Sequence, residues 1–162
     1  MKRETPRLWL EPFDLRHLDE LAEINADPNV MRYLGNSQTR AETKAGILRV
    51  AERWKSLGYG WWALVAKTDG AVVGAACLQN VENKLDNPLE IGWRLHPSAQ
   101  GKGYATEAGQ AAMDFAFEVV KTNRIIAIAN PKNTASINVM KRLGMTDIGL
   151  SNYYDETCAT YE

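Results

Sequence analysis

Two glycines, Gly101 and Gly103, stand between a predicted strand and a predicted helix in the segment 100–105. The first N–H groups of a helix have no partner within the helix, and the helix dipole adds partial positive charge there. Glycines at this point let the backbone approach a bound anion closely, and Lys102 adds a cation. The segment therefore predicts a phosphate-binding loop; the alternative is a plain turn before a packed helix.

The loop differs from the two best-known glycine-rich nucleotide motifs. No Gly-Lys-Ser/Thr follows at the spacing of a P-loop, and position 106 is a threonine where the dinucleotide fingerprint needs its third glycine. A dinucleotide-binding oxidoreductase is therefore a poor match, and a different phosphate-bearing ligand is indicated.

The periodicity around the loop predicts which elements position it. The pattern predicts a mixed α/β (α+β) fold in a single domain spanning 1–162, because helices and strands alternate without a linker. Thr39 and Glu42 predict a capping box, and Gly144 predicts a left-handed helix end. Strands are predicted at 7–10, 61–66, 71–78, 89–95, 124–129 and 145–150, with 159–161 as the end of a last strand, and helices after Asp14, at 28–34, 39–57, 104–120 and 134–143.

Composition restricts the function further. The 162 residues are 45% hydrophobic with a formal net charge of −1, which argues against a general nucleic-acid binder. No apolar run approaches the roughly 20 residues of a membrane helix. Two distant cysteines make neither a disulfide framework nor a zinc site. We expect a cytoplasmic protein without a metal.

Several segments together resemble one known family. Residues 90–97 with 100–105 are similar to the acetyl-CoA motif of the GNAT N-acetyltransferase superfamily, with the leading glycine displaced. Residues 27–35, 60–63 and 130–145 resemble its RimJ/RimL branch. This resemblance implies a mostly antiparallel sheet that splays near strand 89–95 to admit acetyl-CoA.

The resemblance also implies the residues that hold acetyl-CoA. The strand before the loop would bind the pantetheine through its backbone, and the loop amides would bind the pyrophosphate. Asn133 would contact the pantetheine arm, although Asn before a helix is equally suited to N-capping. The cofactor-binding residues expected on this basis are Trp93, Arg94, Leu95, Gln100, Gly101, Lys102, Gly103, Tyr104, Ala105, Asn133 and Ser136.

Two residues are candidates for catalysis by the same resemblance. Glu90 lies near the position of a catalytic Glu in related enzymes and is the candidate base; a structural strand-end carboxylate is the alternative. Met140 stands near the place where many relatives have a proton-donating Tyr, so Ser136 is the candidate partner for the departing thiolate. A hydroxyl bonded to its own helix is the alternative for Ser136.

The acceptor is expected to be a primary amine, either a small molecule or a peptide N-terminus. Tyr33, Trp61, Trp62 and Glu82 are candidate substrate contacts, with core packing as the alternative for each tryptophan because neighbouring residues of a strand face opposite sides. Glu82 is also a weaker candidate base. A monomer or a homodimer is expected, and a non-catalytic acyl-CoA-binding domain is the alternative function.

Overall fold

Eight strands form two antiparallel sheets that touch at one point in the computed structural model, which describes residues 1–162. One sheet has the order β1-β2-β3-β4-β5 and the other has the order β6-β8-β7. The strands are β1 (Arg3–Glu4), β2 (Leu8–Pro12), β3 (Trp61–Ala66), β4 (Val72–Asn80), β5 (Leu89–Leu95), β6 (Ala127–Ala129), β7 (Asp147–Tyr153) and β8 (Glu156–Tyr161). The α-helices are α1 (Leu18–Ala26), α2 (Pro28–Met31), α3 (Arg40–Leu57), α4 (Tyr104–Phe115) and α5 (Thr134–Arg142).

The two sheets meet where Glu90 of β5 bridges Ile126 in parallel. The Ile91 amide donates to the Ile126 carbonyl at 2.9 Å, and the Ile126 amide donates to the Leu89 carbonyl at 2.9 Å. Beyond this bridge β5 has no partner on that side, because β6 pairs with β8 instead. The predicted mixed, mostly antiparallel sheet that splays at strand 89–95 is therefore confirmed.

Alternation along β5 decides which backbone groups face the open side. Ile91 bonds toward β6 and His96 bonds back to Val73 of β4. Successive residues of a strand bond in opposite directions, so Trp93 and Leu95 direct their backbone groups to the gap while Arg94 directs its own to β4. The predicted pantetheine contacts through the backbone thus fit Trp93 and Leu95. The same prediction is wrong for Arg94, because its backbone pairs with Ala75.

Helix α4 covers one face of the larger sheet at close range. A side chain at Gly109 would lie 2.8 Å from the Leu143 Cδ1 atom, so only glycine fits there without rearrangement. Trp62 is fully buried in this layer, in edge-on contact with Trp54 and Phe115 at centroid distances of 5.1 and 5.2 Å. The expectation of Trp62 as a substrate contact is therefore wrong, because its ring fills the core on the α4 side.

Helix α1 and the middle of α3, at Ile47 and Val50, close a second, smaller core on the opposite face of the larger sheet, while Trp54 near the end of α3 packs into the α4-side core. The predicted capping box is confirmed, since the Thr39 hydroxyl accepts from the Glu42 amide and the Glu42 carboxylate accepts from the Thr39 amide. Gly144 has the predicted left-handed conformation, with φ of 77°. None of the helices combines the length and the apolar character needed to cross a membrane.

The C-terminal hairpin differs most from the prediction. Strand β8 runs from Glu156 to Tyr161, so residues 159–161 end a last strand as predicted, but β7 extends beyond the predicted Leu150 to Tyr153. Tyr154 and Asp155 form a two-residue turn with φ of 55° and 58°, the positive values that a tight hairpin of type I′ needs at both positions. These residues lack the glycine that usually announces such a turn, so the hairpin was not expected. The strand predicted at 124–129 shortens to β6 because only residues 127–129 pair with β8.

Candidate active site

The glycine loop leaves its amides without protein partners. Gly101 and Gly103 have φ of 73° and 82°, and Gly103 caps α4 without a side-chain hydrogen bond. The N–H groups of residues 102–105 donate to no acceptor in the protein. Four unpaired amides at the start of a twelve-residue helix have the geometry that binds anions at helix N-termini. The geometry therefore fits the diphosphate expected from the sequence.

The loop is held from outside by the N-terminal segment. The Arg7 guanidinium donates to the Lys102 carbonyl at 2.8 Å and to the Glu107 carboxylate at 2.7 Å. The Thr5 hydroxyl also donates to Glu107, at 2.6 Å. Burial raises the pKa of Glu107, but these hydrogen bonds outweigh it and the pKa is lowered overall. A charged Glu107 thus fixes the loop through Arg7 and leaves the loop amides free.

A cavity of about 720 Å³ runs through the gap between the sheets and under helices α2 and α3. It brings together seven residues predicted for the site, and the remaining predicted residues lie outside its wall. Those in the wall are Tyr33, Trp61, Glu90, Trp93, Arg94, Asn133 and Ser136. Those outside it are Trp62, Glu82, Leu95 and the loop residues 100–105.

Glu90 is the carboxylate that faces this cavity from β5. Only 6% of the residue is exposed. Its Oε1 atom accepts from the side-chain NH₂ group of Gln79 at 2.8 Å and from the Tyr154 hydroxyl at 2.5 Å. Burial raises the pKa of Glu90, and the two hydrogen bonds oppose that change without cancelling it. A cavity carboxylate with a raised pKa is suited to general-base catalysis.

Glu82 serves the site indirectly. Its carboxylate accepts from the Tyr154 amide at 2.9 Å and pairs with Lys84 at 2.7 Å. These contacts hold the Tyr154–Asp155 turn, and thereby the hydroxyl that reaches Glu90. The expectation that Glu82 contacts substrate is not met, since Glu82 lies outside the cavity wall with both oxygens bonded to the protein.

Asn133 and Ser136 lie at the start of helix α5 and line the cavity. The side-chain Oδ1 atom of Asn133 accepts from the Ser136 backbone amide at 3.2 Å, so Asn133 is the N-cap of the helix. Its side-chain NH₂ group and the Ser136 hydroxyl make no hydrogen bond within the protein. Capping and ligand contact are therefore compatible here, because they use different atoms of Asn133.

Trp61 and Arg94 form the wall opposite α5. The Trp61 indole N–H donates to the side-chain oxygen of Gln79 at 2.7 Å. The side-chain NH₂ group of the same Gln79 donates to Glu90, so Gln79 connects the two residues. The Arg94 guanidinium lies 4.5 Å above the Trp61 ring, and burial lowers the Arg94 pKa to about 10. Tyr33 reaches across the cavity to the Lys132 carbonyl at 3.5 Å.

Gln79 and Tyr154 were missed by the sequence analysis. Gln79 is the register partner of Glu90 across β4 and β5, so a polar pair on facing strands was the available signal. Tyr154 gave no local signal, because its position depends on the turn between β7 and β8. Both residues set the environment of Glu90.

Comparison with known proteins agrees with this architecture. The acetyltransferase (GNAT) domain family matches residues 7–146. An uncharacterized N-acetyltransferase of Bacillus subtilis, YnaD, is 30% identical over 142 residues, covering 87% of this chain and 80% of that protein. A GNAT-family acetyltransferase structure from Bacillus anthracis has a TM-score of 0.82 and 27% identity, covering 99% and 95% of the two chains.

A structure of RimL, a ribosomal L7/L12 α-N-protein acetyltransferase in complex with coenzyme A, has the same fold with a TM-score of 0.80 at 19% identity. It covers 97% of this chain and 93% of that one. The protein belongs to the GNAT acetyltransferase family, as its motifs predicted, and it is an acyltransferase. Members of this family use acetyl-CoA as the acetyl donor.

Proposed function

We propose that the protein transfers an acetyl group from acetyl-CoA directly to a primary amine, with Glu90 as the general base. The observation that supports this most is one cavity in which a buried carboxylate with a raised pKa meets the open side of the cofactor strand. Direct transfer requires both reactants to be held in contact, and a single cavity spanning the gap provides that arrangement.

Backbone groups of the protein would make most of the contacts to acetyl-CoA. The free amides of residues 102–105 would bind the pyrophosphate, and the unpaired backbone of Trp93 and Leu95 would bind the pantetheine. The free NH₂ group of Asn133 would add a side-chain contact. Acetyl-CoA supplies a thioester whose acetyl carbon is open to attack by an amine. The Trp93 N–H would polarise the carbonyl oxygen of that thioester.

The acceptor nitrogen loses two protons on the way from ammonium to amide. An alkylammonium with a pKa of about 10 has no lone pair and cannot attack, so it first loses one proton to water or to a base. When the C–N bond forms and the C–S bond breaks, Glu90 would take the second proton, directly or through a water, and the departing thiolate would take up a proton from solvent. The Ser136 hydroxyl would donate a hydrogen bond to the departing sulfur. The Gln79 and Tyr154 hydrogen bonds stabilise the ionised form of Glu90 and oppose the rise in its pKa that burial causes.

Thiol release from acetyl-CoA tests the proposal. Wild-type protein would be mixed with acetyl-CoA and a panel of amines that includes peptides with free N-termini, amino acids and polyamines. We expect release that depends on the amine and gives the N-acetyl product by mass spectrometry. Tight coenzyme A binding with no release for any amine would contradict the proposal and support a non-catalytic acyl-CoA-binding domain.

A further inference from the structure

Arg94 is a cation in the acceptor cavity without a counter-ion. The residue lines the cavity, no carboxylate lies within 4.0 Å of its guanidinium, and its buried Nε–H has no hydrogen-bond partner. A buried donor that is left unpaired costs free energy, and a buried charge costs more. Native structures rarely leave a charged group unpaired. Because Arg94 is only part-buried and lines the cavity, a ligand anion can supply the missing partner of its guanidinium.

The position of Arg94 is fixed by Trp61. The guanidinium lies over the indole ring at 4.5 Å, and the indole N–H is anchored on Gln79 at 2.7 Å. Stacking covers the face of the guanidinium and leaves its edge to make hydrogen bonds. The edge of an arginine matches the two oxygens of a carboxylate in a bidentate pair.

The cavity as a whole is basic, although the chain is not. Its charged lining residues are three arginines and two glutamates, Arg49, Arg53, Arg94, Glu90 and Glu156, which gives +3 − 2 = +1. The formal net charge of the chain is −1. None of the three arginines belongs to an ion pair; Arg53 instead bonds the Asn83 side-chain and backbone oxygens. Such a cavity attracts anions and disfavours polycations.

We propose that the acceptor is an amine that also carries a carboxylate, and that this carboxylate pairs with Arg94. The inference rests on the proposed acetyl transfer and names its substrate class. Glu90 and Arg94 lie on the same face of β5 with their backbones roughly 13 Å apart along the strand. Their side chains converge, because the Arg94 guanidinium lies over the Trp61 ring, and the Gln79 side chain bonds both the Trp61 indole and Glu90. The amine is held near Glu90 while the carboxylate binds at Arg94, so the two charged ends of the acceptor are oriented by two ends of one wall.

Matched acceptors test this assignment. Each amino acid of a panel is compared with its own carboxamide in the thiol-release assay, and spermidine represents the polycations. The carboxamide has the less basic amine and is favoured by the chemistry, so a preference for the acid must come from recognition. We expect kcat/KM to be about 10- to 100-fold higher for the acid with wild-type protein.

Two variants of Arg94 and one control locate the preference. Arg94→Gln is expected to reduce the preference to within about threefold, and Arg94→Lys is expected to keep part of it as a point charge without bidentate geometry. Arg142→Gln removes the same charge from an exposed residue outside the cavity and is expected to keep the wild-type preference. The KM for acetyl-CoA should change less than about twofold in all three, because the loop is not altered.

The outcomes separate the inference from the function on which it rests. Equal turnover of acids and carboxamides, or a preference that survives Arg94→Gln, overturns the carboxylate assignment and leaves acetyl transfer intact. Calorimetric titration of the coenzyme A complex gives a second readout. Binding of the acid but not of its carboxamide, lost in Arg94→Gln, supports the assignment even where turnover fails; no binding of any acid overturns it.

Discussion

The glycine loop and the wall around Glu90 bind their ligands by different means. The loop is a contiguous segment, and its free groups are the backbone amides of residues 102–105. The wall is assembled from side chains of three strands and one turn, with Gln79, Glu90 and Tyr154 joined through one carboxylate. Side-chain changes should therefore matter little in the loop and greatly in the wall. Backbone changes should do the reverse.

The largest effect is expected in the wall, from Glu90→Gln. Removing the base should lower kcat by about 10²- to 10⁴-fold in the thiol-release assay. The Glu156→Gln variant makes the same change elsewhere in the cavity and should lower kcat by less than about fivefold. A greater loss in Glu156→Gln would assign the base to Glu156 instead.

Glu90→Gln should not lower the thermal stability at neutral pH. The folded-state pKa of Glu90 lies above its ordinary value of 4.5, so the native protein holds this proton to higher pH than the unfolded chain does. The contribution of Glu90 to stability is therefore greatest below pH 4.5 and falls as the pH rises through the folded-state pKa. A neutral glutamine avoids that loss, so a Tm at or above the wild-type value is expected by calorimetry.

The next effect belongs to the loop backbone, in Gly103→Ala. A Cβ at φ of 82° is strained and would lie 3.3 Å from the Arg7 Nη2 atom. We expect the Kd for coenzyme A to rise about tenfold, since roughly 1–2 kcal/mol of left-handed strain can be relieved by moving the amides. Gly70→Ala has φ of 76° in the turn between β3 and β4 and open space around it. This control should lose similar stability with unchanged coenzyme A affinity, measured by calorimetric titration.

A smaller effect is expected from Tyr154→Phe, which keeps the ring and removes the hydroxyl. Its hydrogen bond lowers the pKa of Glu90, so its loss should raise that pKa further. The acid limb of the pH profile of kcat/KM should therefore move to higher pH, and the rate at a fixed pH on that limb should fall by up to about tenfold for each unit that the pKa rises. Tyr153→Phe removes the neighbouring hydroxyl of the cavity wall, which bonds no protein group, and should leave the profile in place. An equal shift of the pH profile in both variants would contradict the assigned role of Tyr154.

The smallest effect should come from Lys102→Gln in the loop. Lys102 is exposed and makes no ion pair within the protein, so its side chain adds only a screened charge near the diphosphate. The Kd for coenzyme A should rise by no more than about threefold, and less at higher salt. A tenfold loss would show that the loop depends on side chains as the wall does.

This difference also explains what the sequence could predict. Strand β5, the Thr39–Glu42 capping box and the glycine loop follow from neighbouring residues, so local rules located each of them. Alternation predicted that Trp61 and Trp62 face opposite sides of the strand, but which of the two faces the cavity was decided by the layers on each side of the sheet.

The environment of Glu90 could not be predicted in the same way. Gln79 reaches the carboxylate through strand register, and Tyr154 reaches it from 64 residues away in sequence. Its turn has two residues with positive φ and neither is glycine, so local propensity pointed elsewhere. Tertiary contacts such as the Glu82 bond to the Tyr154 amide impose that conformation.

The single bridge between Glu90 and Ile126 gives the proposed base a fixed place whatever the width of the gap beyond it. The two sheets diverge from this bridge, so a wider or narrower opening displaces residues 93–95 from β6 more than it displaces residue 90. Acyl-CoA donors with bulkier acyl groups would accordingly be accommodated where the gap between β5 and β6 is wide, near residues 93–95. The distance between the Glu90 carboxylate, at the bridge, and the attacking nitrogen would stay the same.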